Sequence, residues 1–268
     1  MECFACYSKN IVRNGYYKSY QKYKCGDCGR QFSERSFSFF CRTKFNEKII
    51  MDAILIACFV STRIGAFLIL EIMHTKVSHQ TVYNWSRKFA SKISKLKRQM
   101  SFSNIWHVDE KFIKVKDSED DFAYLWVVID SLNSIIATHV SLKRDISGAV
   151  AALKKAYARS LKPPDILVTD GLQAYHKACK KVFGRKVKHV TAHFETKCVM
   201  HQHKLYYLSN NRIESLNSKI NLWYKKFRGF KSLETANLFC EMYAYFYNYI
   251  RPRTIRHNLE PIKLTLKM

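Results

Sequence analysis

Two cysteine pairs at the front of the chain restrict its fold more than any other feature. Cys3-x-x-Cys6 and Cys25-x-x-Cys28 lie 18 residues apart, from 7 to 24. Two such knuckles at this separation are the spacing of a tetrahedral Zn²⁺ site, each tight turn presenting two thiolates. Gly26 and Gly29 are expected to give the second knuckle its backbone freedom. Tyr16, Tyr17, Tyr20 and Tyr23 alternate with Lys18, Lys22 and Lys24, the pattern of β ribbons with a basic surface. The competing reading is a pair of disulfides, but MECFACYSKN has no apolar signal region to suggest export. Residues 1–36 therefore read as a small zinc ribbon that folds only with its metal. Of the nine cysteines, Cys41, Cys58, Cys179 and Cys240 look like scattered core thiols.

The formal charge is +25, from 46 Lys and Arg against 21 Asp and Glu, and both halves of the chain are basic. With 47% hydrophobic and 25% charged residues, this is a globular chain and not a charged disordered tail. So large a cationic surplus calls for a polyanionic partner, and nucleic acid is the chemical match. The longest apolar stretch, Ile49 to Val60, is interrupted by Asp52 and is too short to span a bilayer. The expectation is a cytoplasmic, nucleoid-associated protein with no membrane partner.

Residues 44–100 read as helices. Glu47 to Val60 is the first and Ser61 to Met73 the second. A third follows Ser78, a good N-cap. Val82, Trp85, Phe89, Ile93 and Leu96 recur with helical spacing as one apolar stripe. Gln80, Thr81, Asn84, Arg87 and Lys88 fall on the other faces. This is either a three-helix bundle with a solvated face or a helix-turn-helix whose last helix enters the major groove of double-stranded DNA. The ribbon and the charge favour the second, with Gln and Asn reading adenine edges and Arg and Lys holding phosphates.

From residue 104 the pattern becomes alternating. Ile105 to Val115, Ala123 to Asp130 and Ile135 to Leu142 read as an antiparallel meander. Ser147 to Ser160 is helical and is stopped by Pro163 and Pro164. Ile166 to Val168 is a short buried strand ending at Asp170-Gly171. A helix over 172–182 and a weak strand near Val187 to Val190 follow. The order β-β-β-α-β-α is that of a ribonuclease H-like α/β core. Asp109 lies in the first strand, and Asp170 lies just past the C-terminal end of the fourth, where ligands collect in open α/β sheets. Glu214 sits one turn into a helix capped by Asn210 or Asn211, beside the stripe Ile213, Leu216, Ile220, Trp223 and Phe227. Each Asp alone would more often be a surface or capping residue. Together on three elements they repel, and two Mg²⁺ (or Mn²⁺) ions about 4 Å apart would balance them and clamp a scissile phosphate. Glu110 is expected to face away from Asp109, and Asp130 to form a turn. His189, His193, Cys198, His201 and His203 read as a basic DNA-facing loop in preference to a second zinc site. The aromatic run Tyr243, Tyr245, Phe246, Tyr247 and Tyr249 reads as helix packing.

WHVDEKFIKV, LVTDGLQAYHKA and LSNNRIESLNSKI, followed by FRGFKSLETANLFCEMYAYFYNYIRP, resemble the catalytic blocks of DDE-type insertion-sequence transposases, nearest the insertion-sequence-six kind. The resemblance covers nearly the whole chain, the ribbon ending in CGDCGRQF included. It implies a catalytic domain over 104–250 with Asp109, Asp170 and Glu214 as the triad, and a tail over 251–268. It implies that water nicks the element ends and that the freed 3′-OH attacks target DNA, within a homo-oligomer. It assigns basic roles to Arg144, after the third strand, and Lys219, after the glutamate. Two departures stand out. The 43 residues from 171 to 213 between Asp170 and Glu214 exceed the expected spacing, with the excess around HVTAHFETKCVMHQHK, and Arg253 stands where histidine is expected. The rival readings are a catalytically inactive DNA-binding relic and a nuclease that cleaves without joining.

Overall fold

The structure is a computed structural model that describes residues 1–17, 20–33, 36, 40, 43–95, 101–117, 121–192 and 195–250. Cys41, Leu96, His193 and the 251–268 tail with Arg253 lie outside the described residues. The chain divides into two compact units, one over 1–52 and a larger one from Ala53 onward.

In the first unit, β1 (Ile11–Tyr17), β2 (Tyr20–Cys25) and β3 (Gln31–Ser33) form an antiparallel sheet. Among the described residues, the cluster on this sheet consists of Cys3, Cys25 and Phe32, with Ile11 and Tyr23 packed against them. So few apolar side chains cannot offset the entropy of ordering the segment, so the fold needs a cross-link. Tyr16 and Tyr17 are both exposed, so this end of β1 is open to solvent on both faces.

The larger unit is built on a five-stranded mixed sheet in the order β6-β5-β4-β7-β8. The strands are β4 (Ile105–Lys114), β5 (Phe122–Asp130), β6 (Ile135–Ser141), β7 (Ile166–Thr169) and β8 (Lys188–Thr191). The first three form the expected meander, and β7 and β8 add in parallel. Helices α4 (Ile146–Ser160) and α5 (Gln173–Phe183) cover one face. Trp106, Val108, Trp126 and Val128 alternate inward there against Ala149, Leu153, Tyr175 and Phe183. Gly148 lets α4 approach closely, because a Cβ there would lie 2.6 Å from Trp126 Nε1. Asp145 caps α4 by accepting from the Gly148 N–H at 3.0 Å.

The other face carries α6 (Asn211–Lys225) and α7 (Leu233–Tyr249). The aromatic run of α7 packs into the fold as expected, buried except for half-buried Tyr249, and α3 (His79–Lys95) packs on α7 through Phe89 stacked on Phe246 and Tyr83 stacked on Phe239. Ser78 caps α3 by accepting the Thr81 N–H, and Val82, Trp85, Phe89 and Ile93 are buried. The last turn of helix α1 (Glu47–Phe59) is tied to α6 by Trp223 Nε1 donating to the Cys58 carbonyl at 2.6 Å. Helix α2 (Thr62–Met73) packs on α3.

Strand β6 is an edge, and an open edge invites pairing with other chains. Here side chains cap it. Asn248 bonds the Ile135 N–H and C=O, Asn237 does so at Val140, and Arg159 and Lys155 donate to the Ile136 and Thr138 carbonyls. Glu241 on α7 neutralises both cations, 2.6 Å from Lys155 and 2.5 Å from Arg159.

Two sequence expectations change. The segment 189–203 is not one loop. After β8 the chain forms an antiparallel hairpin, β9 (Lys197–His201) with β10 (Lys204–Leu208). Val199 and Tyr206 face the small cluster of Ile166, Val168, Val190 and Leu208, so the added residues are folded onto the core. Lys and His interrupt the alternation, which hides the strands from a sequence reading. Gly26 is also not in the left-handed region. Only Gly29 is (φ +69), while Gly26 makes room for Asn10, whose Nδ2 would lie 2.4 Å from an added Cβ.

Candidate active site and zinc centre

In the ribbon, the four cysteine sulfurs lie within 4.8 Å of one another. Cys3 Sγ is 3.6 Å from Cys28 Sγ, and Cys6 Sγ is 3.5 Å from Cys25 Sγ. A disulfide needs about 2 Å. Zn–S bonds of about 2.3 Å in a tetrahedron place the sulfurs about 3.8 Å apart, so the donor set fits zinc. The Ala5 and Cys6 amides point at Cys3 and hold its thiol down to about 7 against burial. The Cys28 and Asp27 amides lower Cys25 in the same sense. Both effects favour the thiolate that a metal requires.

The acidic site arises from strand register. Strands β4 and β7 are parallel neighbours with His107 opposite Val168. Two residues further along, this register brings Asp109 and Asp170 side by side. The sequence pairs these two acids correctly. Glu110 takes the opposite face of β4, as expected, yet its carboxylate joins them. Oxygens of Asp109, Glu110 and Asp170 all lie within 4.8 Å of one another, because Glu110 is drawn up on its own face of β4 by Arg144 and Tyr175. Arg144 Nε donates to Glu110 Oε1 at 2.6 Å, the Tyr175 hydroxyl donates to Oε2, and the Glu110 side chain is only 3% exposed. Burial and the neighbouring carboxylate push the Tyr175 phenol well up, so it remains a donor. Burial of Arg144 works against its charge, but the bond and attraction to Glu110 prevail and hold it above its ordinary value.

Asp109 is half-buried. Burial, then the negative Glu110, raises its carboxyl to about 7, with Asp170 and Glu214 adding repulsion and the Glu110 amide opposing. Its Oδ1 accepts the Glu110 N–H at 2.9 Å, and its Oδ2 accepts from Asn217 Nδ2 at 2.6 Å. Asp170 Oδ1 accepts the Leu172 N–H at 3.0 Å. A pocket of hard oxygen donors whose negative charges repel one another is the chemistry that a divalent cation satisfies. Two carboxylate-bearing strands converging this closely fit Mg²⁺ or Mn²⁺ held by Asp109 and Asp170.

Glu214 stands on the first turn of α6 and is exposed. It is outside the close group, although its charge reaches Asp109. The α6 residue that touches Asp109 is Asn217, three positions on and on the same helical face. Asn210 occupies the cap position without the expected side-chain bond, and its buried Oδ1 has no partner. Lys111, two residues after Asp109 and therefore on its face, donates to the Asn217 carbonyl at 2.9 Å and to Asn221 Oδ1. Burial lowers the Lys111 ammonium to about 8 against the pull of Asp109. Helical and strand periodicity carried the signal for both residues. What the sequence lacked was the distance between α6 and β4.

The remaining expected residues fall elsewhere. Gln80, Asn84, Arg87 and Lys88 are exposed on α3, with Gln80 donating to Asn84 at 3.2 Å and Arg87 paired with Glu234 at 3.4 Å. Thr81 is half-buried and bonds Ser78. Lys219 is half-buried on α6. Asp130 organises the β5–β6 turn by accepting from Ser103, Leu132 and Ser134. Among the described residues, no group of three metal-ligating side chains forms in 189–203. Cys58, Cys179 and Cys240 are buried thiols.

A sheet of order 3-2-1-4-5 with acids converging across its first and fourth strands defines a ribonuclease H-like polynucleotidyl transferase. The model of the IS240-type DDE transposases, described as a DDE domain, matches residues 103–252, and the chain belongs to this family. Comparison with curated proteins found no match. Similar solved structures include the HTLV-2 integrase catalytic core domain in complex with magnesium, at 17% identity and TM-score 0.39 over 59% of this chain and 93% of that one. Another is a simian T-cell lymphotropic virus intasome in complex with PP2A regulatory subunit B56 gamma (18%, TM-score 0.38, 77% and 69%). A third is the BIV integrase core (12%, TM-score 0.35, 57% and 88%). Among the described residues no helix is long and apolar enough to cross a membrane.

Proposed function

We propose that this protein is a transposase that binds the ends of an insertion sequence and catalyses DNA cleavage and strand transfer. The observation that carries the reading is the convergence of Asp109 and Asp170 across parallel strands, with Glu214 near enough to perturb Asp109. Asp109, Asp170 and Glu214 are the catalytic triad in this reading and would hold Mg²⁺ or Mn²⁺. When bound, these cations supply Lewis acidity toward the scissile phosphate and its attacking and leaving oxygens.

The chain's own groups then have distinct tasks. Asn217 fixes the rotamer of Asp109 by donating to Oδ2, and Lys111 anchors α6 against β4 through the Asn217 carbonyl. Glu110 is held beside Arg144, which ties the start of α4 to β4 at the wall of the site. Gln80, Asn84, Arg87 and Lys88, with Thr81 at the capped end of α3, are our DNA-reading residues. Their exposure on one helix whose opposite side is buried supports this role. In this reading Arg144 and Lys219 hold phosphates of the double-stranded substrate, and the protein acts as a homo-oligomer joining two ends.

A joining assay tests the proposal. Labelled DNA ends from the flanks of the gene are mixed with supercoiled target, Mg²⁺ or Mn²⁺, and either native protein or Asp170→Asn. Covalent joining by the native protein alone is expected. Binding without cleavage or joining in either metal overturns it.

A further inference from the structure

Helices α4 and α5 do not cover the whole of their face of the sheet. Beyond the N-terminus of α4 lies an open depression of about 610 Å³, lined by Phe112, Phe122, Tyr124, Leu142, Lys143 and Arg144. Phe112 is on the same face of β4 as Glu110, one pleat further along, and pairs directly with Tyr124 on β5. Their ring centroids are 4.8 Å apart with the planes tilted by 48°. Phe112, Phe122 and Leu142 are 59%, 52% and 50% exposed, whereas Trp126 and Val128, one and two pleats back along β5 from Tyr124, are fully buried. A contiguous aromatic surface left in water beside polar groups marks a binding site. Its size is that of a small-ligand pocket.

The rim identifies the occupant. Lys143 and Arg144 line the depression, and Arg144 also grips Glu110, whose carboxylate belongs to the acidic group. One side of the depression therefore abuts the reaction site, and its cations suit an anion. A flat aromatic surface with cations at its edge, on a chain of charge +25, matches a nucleotide: a π face to stack and a phosphate to hold. Inside a duplex both faces of a base are already stacked, so away from a duplex end only an unpaired base can lie against Phe112.

We propose that this depression receives an unpaired nucleobase of the DNA strand engaged at the carboxylates, stacked on Phe112 and Tyr124 with its phosphate toward Lys143. The proposal rests on the DNA-processing function above and specifies where that function handles a strand end.

The test uses full-length, zinc-loaded protein and a short single strand carrying 2-aminopurine, with a blunt duplex of the same sequence as control. Native protein is expected to quench the single-strand fluorescence. Phe112→Ala should lose the quench and weaken single-strand binding by about 5- to 100-fold, the range for one lost stack. Duplex affinity should change by less than about twofold, and Phe112→Trp should restore the quench. Phe112 is largely exposed, so folding should survive, and Phe122→Ala provides a second variant should it not. Equal losses on single strand and duplex, or undiminished single-strand binding and quenching in both alanine variants, overturn the assignment. If native protein joins DNA ends while the alanine variants bind single strands normally, the subsite falls and the transposase reading stands. If native protein neither binds nor joins DNA, both fall.

Discussion

The contact between Arg144 and Glu110 makes a quantitative prediction. Glu110 is almost completely buried at 3% exposure, and Arg144 is the cation that reaches it. Truncating one member of a buried pair commonly costs about 3–5 kcal/mol, because the other charge is left uncompensated. Arg144 is 41% exposed, so water replaces part of its effect, and the cost of Arg144→Ala falls to about 2 kcal/mol. Glu110→Gln removes the charge that needs Arg144 and relieves the repulsion on Asp109, at the loss of an ionic bond. Its net cost should be under about 1 kcal/mol. The double variant should therefore be more stable than the sum of single effects predicts, with a coupling of about 1–2 kcal/mol. Urea unfolding followed by tryptophan fluorescence reads this directly, since Trp106 and Trp126 are buried in the same core. With a slope of about 2 kcal/mol/M, Arg144→Ala should move the midpoint down by about 1 M. Additivity within about 0.5 kcal/mol would refute the claim that Arg144 chiefly neutralises a buried carboxylate. It would leave Arg144 as a phosphate contact, whose removal lowers the salt slope of DNA binding by about one.

Asn217→Ala frees Asp109 Oδ2 from its donor, so the Mg²⁺ or Mn²⁺ affinity measured by calorimetry should drop about 10- to 100-fold with the fold intact. His107 is 2% exposed with Nδ1 unpartnered, and burial, aided by Arg212, lowers it to about 4. The unfolded chain binds this proton first, so His107 reduces stability progressively as pH falls from about 6.5 to about 4. His107→Gln should flatten that part of the stability profile by up to about 1.4 kcal/mol per pH unit relative to native protein, and parallel profiles would count against it. Gly148→Ala forces a methyl group to within 2.6 Å of Trp126 Nε1 and should cost about 1–3 kcal/mol in denaturant unfolding. Purified protein should carry one zinc per chain by elemental analysis, and Cys25→Ser should abolish it, while a cysteine-to-serine change at buried Cys240 should not.

Local pattern alone was enough for much of this protein. The cysteine spacing announced the zinc ribbon, because a knuckle is a short-range turn whose geometry is set within four residues. The meander, the two crossover helices and the positions of Asp109 and Asp170 were legible because strand alternation and Pro or Gly stops are also local. The stripe on α3 and the aromatic face of α7 followed from helical period, which determines which side is buried but not against what. The tertiary structure decided everything that depends on distances between elements. Glu110 looked averted from Asp109, yet Arg144 and Tyr175 draw its carboxylate into the acidic group. The helical period placed Glu214 toward the sheet edge, but only the seating of α6 shows that Asn217, one turn on, reaches Asp109. The β9–β10 hairpin was hidden by the Lys and His residues in its strands and holds through packing on Val168 and Leu208. Sequence determines which face a side chain takes, because face follows period. How far that side chain lies from one on another element depends on how whole helices and strands pack, and only the folded chain sets that.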